Sequence, residues 1–276
     1  VPEGDTVFLA ADRLDRALRG RVLTRTDFRV PRYSTLDLAG RRIHEVVARG
    51  KHLLFRIAGN MTLHTHFQMD GTWHIYRPGE RWRVPAHEAR VVLETDVFTV
   101  VGFRLPVIDV LDRAAEQSVV GHLGPDLLGP DWDPVEAERR LAADPARPIG
   151  EALLDQAVMA GLGNVYRSEI CFLMGLDPMT PVGEVPEPAR VVGRARAVIY
   201  ANRTTGNQIT TGDARPGRTH WVYGRGGEPC RRCGDPIERT HSGPNGRERV
   251  IYRCPRCQPA GRKAHSVTQV RGLADA

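Results

Sequence analysis

Lysine is nearly missing from this chain: of 39 basic residues only Lys51 and Lys263 are not arginine. An arginine-rich composition of this kind, such as a GC-rich genome produces, makes a lysine kept inside ARGKHLLF conspicuous. A compact ammonium and a planar guanidinium are not interchangeable. Lys263 lies in a polar stretch and carries less meaning. Long apolar runs are also missing, which excludes a membrane-spanning helix. The first residues, VPEGDTVFLAADRLDR, spread acids and arginines where a signal segment would place a basic and then an apolar block. A cytoplasmic protein with no membrane partner is therefore expected. No internal repeat is visible. What remains is a chain of 276 residues, 41% hydrophobic and 26% charged. That is enough for one large or two modest soluble domains with real cores.

The charge is uneven. The formal net charge is +6, yet residues 211–276 alone hold 13 Arg and Lys against 6 Asp and Glu. A basic C-terminal segment on a near-neutral body suggests a polyanion partner. A merely solvated charged surface is the competing reading.

The fold class reads as α+β. Asp5 or Thr6 can cap a first helix in which Val7, Ala10, Leu14 and Leu18 recur at helical spacing, and Gly20 ends it. Short strand-like pieces follow: RVLTRTDFRV, RRIHEVVA, KHLLFRIA, MTLHTHF, TWHIY, ARVVLET and VFTVVGF, separated by turn-formers. They predict an antiparallel β-sandwich domain over residues 1–130. From 131 to 220 the pattern becomes helical, with DPVEAERRLAAD, PIGEALLDQAVMA, NVYRSEICFLMG and PEPARVVGRARAVIYANR. The boundary falls near GPDLLGPDWDP. A small basic module occupies 221–258, and the tail 259–276 has little to bury and is expected to be disordered.

That module carries Cys230 and Cys233 in CRRC, and Cys254 and Cys257 in CPRC. Two such knuckles at this spacing are a strong zinc-ribbon signal. Four thiolates close a tetrahedral site, so the one Zn²⁺ expected here is structural. Two disulfides are the alternative, and the absence of a signal segment argues against them. The intervening residues read as two strands joined by SGPNGR. Arg231, Arg232, Arg239, Arg247, Arg249, Arg253 and Arg256 would then form an exposed positive surface. Cys171, on the apolar stretch EICFLMG, reads as a buried small hydrophobe.

EALLDQAVMAGLGNVYRSEICFLMG reads as two apolar helices broken at GLGN. Gly161 and Gly163 permit close approach and left-handed angles. Asn164 stands where the second helix begins, able to cap it and to form an anion site there. His64 and His66 in MTLHTHF share one strand face. They could bind a metal, but no third ligand is evident and a polar strand face is the preferred reading.

Taken together, PEG at the start, RGKHL, LLDQ…AGLGNVYRSE, VYGRGGEPC and CPRCQ resemble the formamidopyrimidine-DNA glycosylase / endonuclease VIII family, in the family's order and over nearly the whole chain. PEGDT and FQMDG look most like its actinobacterial endonuclease VIII branch. The resemblance implies a helix-two-turns-helix motif in the helical domain. It also implies a bifunctional DNA glycosylase and abasic-site lyase, acting as a monomer on double-stranded DNA with oxidised bases or abasic sites, in the bacterial nucleoid. By matching motif, Pro2 would become the N-terminus and attack C1′ of the damaged nucleotide, and Glu3 would protonate the sugar ring oxygen. Lys51 would bind the phosphate by the lesion, with Asn164 and the zinc-hairpin Arg249 also gripping the backbone. Gln68, Met69 and Asp70 fall where the family inserts a loop into the duplex. Thr6 departs from the pattern, since most relatives carry a second glutamate there; lesion preference is the property this touches. The short segment between NQITTGD and WVYGR favours oxidised pyrimidines.

The chemistry is coherent. An α-amino group has a pKa near ~8, so part of a terminal proline amine is neutral at pH 7. Attack on C1′ gives an iminium that acidifies the neighbouring C–H bonds and permits elimination of both phosphates. The target atom is inaccessible in a duplex, so the base must be flipped out, with Met69 a plausible wedge. A non-catalytic zinc-ribbon protein that binds damaged DNA on the same scaffold is the alternative, and a zinc hydrolase is disfavoured because four thiolates leave no open position.

Overall fold

The structure, a computed structural model, describes residues 2–242 and 249–260. Val1, Arg247, all but the first residue of the expected SGPNGR turn, and the tail from 261 onward, including Lys263, lie outside the described residues. The chain forms two compact units: Val1–Asp133 with Met159–Leu162 and Ile199–Asn207, and Pro134–Val158 with Gly163–Val198 and Gln208–Ala276.

In the first unit, helix α1 (Gly4–Leu18) precedes eight strands: β1 (Arg25–Phe28), β2 (Ile43–Arg49), β3 (His52–Ile57), β4 (Met61–His66), β5 (Thr72–Tyr76), β6 (Ala89–Glu94), β7 (Thr99–Phe103) and β8 (Val107–Asp112). They make two antiparallel four-stranded sheets, ordered β1-β6-β7-β5 and β2-β3-β4-β8. Leu53, Phe55 and Leu63 of one sheet and Val91, Leu93 and Val100 of the other share a core with Val7, Leu14 and Leu18 of α1. This is the expected sandwich with its N-terminal helix. Full burial of each such side chain stabilises by about 1.5–3 kcal/mol.

Several details differ from the sequence reading. Glu3, rather than Asp5 or Thr6, is the N-cap of α1, with no capping bond from its side chain, and Asp5 is buried in the first turn. Gly20 does follow the helix in a left-handed conformation, φ 76°. Strand β8 was not among the expected strands. Arg104 turns the chain at φ 50° just before it, and it then pairs with β4 along Met61↔Asp112 to His66↔Val107. The outer face of β4 is not open to water. Helix α2 (Glu116–Val120) and its neighbours cover that side, where Leu54, Val120, Leu123 and Ala160 form a satellite cluster.

The second unit holds α3 (Pro134–Ala142), the single-turn α4 (Ile149–Ala152), α5 (Asn164–Met174), most of α6 (Pro188–Asn202), and the hairpin β9 (Glu238–Ser242) and β10 (Arg249–Arg253). The helix expected over PIGEALLDQAVMA stops after one turn. Asp155 is the cause: its carboxylate takes the Ala157 N–H at 2.8 Å, and an Asx turn replaces the next helical turn. Helix α5 ends on Gly175 at φ 68°, whose N–H caps it. Among the described residues no helix is long and apolar enough to cross a membrane.

Candidate functional site

In the first unit the start of the chain is pinned rather than loose. Glu3 is 0% exposed and Pro2 is half-buried. Behind them the Gly4 N–H donates to the Gly161 carbonyl at 2.8 Å. A Cβ on Gly4 would lie 2.8 Å from the Gly161 Cα, so this approach requires glycine. Gly161 itself has φ 117°, as its motif suggests, whereas Gly163 has φ −130° and ordinary extended backbone.

Lys51 sits with Gly50 in the two-residue turn between β2 and β3, framed by the pair Arg49↔His52. Gly50 has φ 58°, the angle that such a tight turn needs at its first position. The Gly50 N–H donates to the buried Asp126 carboxylate at 2.7 Å, and the Leu128 N–H donates to its other oxygen at 3.0 Å. Arg49 bonds Asp131 at 2.8 Å and the Gly124 carbonyl at 3.2 Å. Burial pushes the Asp126 carboxyl up, while these two N–H groups and Arg49 pull it back.

Beside Lys51 lies a group of histidines. His52 Nδ1 meets His64 Nε2 at 2.9 Å, and the His66 and His122 rings stand edge-on to His52. The polar strand face expected for MTLHTHF does form, with His64 buried in it against His52. Burial, then the neighbouring histidines and Lys51, lower His52 to about 3. Burial, then Lys51 and His64, lower His66 to about 4. These two rings are neutral at pH 7 and add no charge beside Lys51. Among the described residues the four cysteines below are the sole cluster of three or more ligands close enough for a metal ion.

The loop bearing Gln68, Met69 and Asp70 crosses from β4 in one sheet to β5 in the other. Gln68 takes φ 47°, its N–H donates to His66 Nδ1 at 2.9 Å, and the Gly71 N–H closes the turn on the Phe67 carbonyl at 2.9 Å. The Arg104 Nε donates to the Asp70 carbonyl at 3.3 Å. Phe67 anchors the loop in the core, and Met69 at its tip is 63% exposed. A rigid turn thus presents an apolar side chain to solvent, a shape suited to wedging between stacked bases.

In the second unit, Asn164 begins α5 but does not cap it; Gly163 is the N-cap. Its amide instead donates to the Val250 carbonyl of β10 at 3.0 Å, and its oxygen accepts from Arg167, which also reaches Val250 at 2.7 Å. Asn164 therefore links the helix start to the hairpin that carries Arg249, whose side chain is exposed. Glu169, one turn further along, is fully buried and accepts the N–H groups of Trp221, Val222 and Tyr223 at 2.8–2.9 Å and the Thr210 hydroxyl. Cys171 is buried too, and burial pushes its thiol up to about 12, which keeps it inert.

The sulfurs of Cys230, Cys233, Cys254 and Cys257 all lie within 4.8 Å of one another. Cys230 and Cys257 are 3.9 Å apart, and Cys233 and Cys254 are 3.4 Å apart. Zinc bonds of about 2.3 Å in a tetrahedron put sulfurs about 3.8 Å apart, so this donor set fits such an ion. Gln258 locks the second knuckle, accepting the Cys254 N–H at 2.9 Å and donating to the Leu176 carbonyl at 2.8 Å. The arginines around the ribbon divide. Arg231, Arg232, Arg239, Arg249 and Arg256 are exposed. Arg253 is half-buried and ion-paired with Asp177 and Glu238, so it does not belong to the open positive surface. Asp126, His52 and Glu169 escaped the sequence reading. Asp126 had a signal, since it stands in the Gly/Pro-rich GPDLLGPD, but that stretch looked like a boundary.

The chain matches the formamidopyrimidine-DNA glycosylase N-terminal domain over residues 1–109 and the formamidopyrimidine-DNA glycosylase H2TH domain over residues 123–207. It is 55% identical to the probable endonuclease 8 2 of Streptomyces coelicolor, over 94% of both chains. It is 52% identical to the DNA-(apurinic or apyrimidinic site) lyase Nei2 of Mycolicibacterium smegmatis, over 94% of this chain and all of that one. The fold is shared with Lactococcus lactis formamidopyrimidine-DNA glycosylase non-covalently bound to DNA with an abasic site, at a TM-score of 0.78 and 21% identity, covering 94% of this chain and 100% of that one.

Proposed function

Because the chain belongs to the formamidopyrimidine-DNA glycosylase family, on its endonuclease 8 side, we propose that it is a bifunctional DNA glycosylase and abasic-site lyase that excises oxidised bases. The observation that carries the reading is the pinned chain start, with Glu3 buried and Pro2 held just before the Gly4–Gly161 bond. The nucleophile is the Pro2 nitrogen, freed when the residue before it is removed. Its lone pair attacks C1′ of the flipped nucleotide, and the base leaves with the glycosidic electrons and takes a proton. Glu3 protonates the ring oxygen as the C1′–O4′ bond opens, and loss of the amine proton completes the iminium. Removal of a C2′ proton then expels the 3′ phosphate, and a second elimination expels the 5′ phosphate. Holding amine and acid beside the sugar replaces a bimolecular encounter with a pre-positioned one.

In this reading Lys51, Asn164 and Arg249 hold the backbone phosphates around the lesion, and Gln68, Met69 and Asp70 fill the gap left by the flipped base. The four cysteines would hold one structural Zn²⁺, which supplies a cross-link in place of a core for the hairpin. Oxidised pyrimidines are the favoured lesions. Supporting this, the segment before Trp221 folds back on itself through Thr210 N–H to the Thr219 carbonyl at 2.8 Å and Trp221 Nε1 to the Thr210 carbonyl at 3.1 Å. A loop so closed has little length left to cover a purine.

The test is borohydride trapping on abasic-site DNA, with intact mass spectrometry to identify the N-terminal residue. The native protein should trap covalently through Pro2. A version with a non-removable N-terminal tag should bind the same DNA and give no adduct. Normal trapping by the tagged protein would sink the Pro2 assignment, and no trapping by a protein starting at Pro2 would favour a DNA-binding role without catalysis.

A further inference from the structure

Four short segments of the first unit meet at one place. The carboxylate of Asp126 accepts the N–H of Gly50, next to Lys51, at 2.7 Å. The backbone around Asp126 pairs with Ala160: Leu127 N–H donates to the Ala160 carbonyl at 3.1 Å and Ala160 N–H to the Pro125 carbonyl at 2.9 Å. The next carbonyl along, Gly161, receives the Gly4 N–H at 2.8 Å, two residues beyond Pro2. The packing leaves no slack. A Cβ on Gly50 would sit 3.0 Å from the Ala160 Cβ, and one on Gly4 2.8 Å from the Gly161 Cα. Asp126 is 3% exposed, and its two oxygens are each taken by a backbone N–H.

We infer that Asp126 is a positioning residue: its carboxylate fixes the turn that presents Lys51 to phosphate and ties that turn to the Gly161 carbonyl that holds the chain start. The inference rests on the proposed phosphate-holding role of Lys51. A hairpin turn of two residues is normally free to rock about its strands. Here a buried acceptor removes that freedom before DNA arrives, so the ordering cost is met in folding and not in binding. Asparagine cannot replace this carboxylate. It has one acceptor oxygen, and its NH₂ would face one of the two N–H donors.

Charge alone predicts the opposite sign. Asp126→Asn removes a negative charge, which by itself favours binding to a polyanion. The positioning role requires it to weaken binding. The experiment measures equilibrium binding to duplex DNA with a stable abasic-site analogue, across a salt series, for the full-length wild type, Asp126→Asn, Lys51→Ala and the double variant, with melting curves to confirm folding. Asp126→Asn should bind about tenfold more weakly, with a shallower salt slope. The double variant should bind like Lys51→Ala alone. Wild-type or tighter binding by Asp126→Asn, or additive losses in the double variant, overturns the inference. If Lys51→Ala itself keeps wild-type affinity and slope, the phosphate role of Lys51 fails and the inference falls with it, a pattern distinct from failure at Asp126 alone. Amide exchange in the wild-type protein gives a check that needs no variant to fold. The Gly50 amide should be protected although it lies in a hairpin turn, and fast exchange there overturns the junction.

Discussion

One of only two lysines in an arginine-rich protein, Lys51 invites a quantitative test. In the proposed function Lys51 and Arg249 each offer a cation to a backbone phosphate, whereas Asn164 offers only hydrogen bonds. Lys51→Ala and Arg249→Ala should each weaken binding to an abasic-site analogue and make its salt dependence shallower by about one unit for every phosphate left without its cation. Asn164→Ala should weaken binding with nearly unchanged slope. Because its amide also holds the Val250 carbonyl, that variant should lower the melting temperature as well. Unchanged affinity and slope in both charge-removing variants would remove these residues from the interface. The histidines give a pH prediction. His52 and His66 are lowered from 6.5 to about 3 and about 4 in the folded state, so the unfolded chain binds more protons between those values. The stability they contribute is complete above 6.5 and is lost as pH falls toward 3. The melting temperature should drop through that window, and His52→Asn should flatten the drop. An equal drop in wild type and variant would show that His52 has no part in it.

Among the elements, α5 carries the most consequence for its length. Its start holds β10 through Asn164, its middle holds the 210–223 segment through Glu169, and its C-terminal end is followed by Leu176, which accepts from Gln258 of the ribbon. Glu169→Ala would strand three backbone N–H groups that the carboxylate satisfies. That should cost about 3–4 kcal/mol, roughly a 10 °C fall in melting temperature for a chain of this size. Thermal unfolding followed by circular dichroism measures it, and a shift under about 2 °C would mean that water replaces the carboxylate without loss. Helix α4 shows the limit of pattern reading. The stretch PIGEALLDQAVMA read as one helix, and the Asp155 side chain stops it after one turn by offering the backbone a better local partner.

For the molecule as a whole, the proposed metal site at the four cysteines should decide whether the C-terminal hairpin folds. The ribbon buries few apolar side chains of its own, chiefly Val222, Ile237 and the cysteines packed on Phe172. Chelation, or Cys254→Ala, should unfold the ribbon and weaken DNA binding at least tenfold, because Arg249 loses its support. In the proposed mechanism no chemical step runs through the metal, so slow residual trapping through Pro2 should persist at high protein concentration. Metal analysis alongside trapping checks this. Full activity from a protein shown to be metal-free would overturn the structural role.

By itself the sequence determined the architecture and the family: the sandwich after a first helix, the Cys-x-x-Cys pairs, and the motifs around Pro2, Lys51, Asn164 and Arg249 that carry the proposed chemistry. These are local signals, carried by spacing, turn residues and donor type, and they survive without knowing what packs on what. Tertiary structure alone decided what each side chain is bonded to. It buried His64 against His52, withdrew Arg253 into ion pairs, and turned Asn164 from a helix cap into a cross-link to β10. It also brought Asp126 to a turn some 76 residues earlier in the chain. Such partners are far apart in sequence, and hydrogen-bond satisfaction in a buried place depends on which segments meet there, which no local pattern encodes.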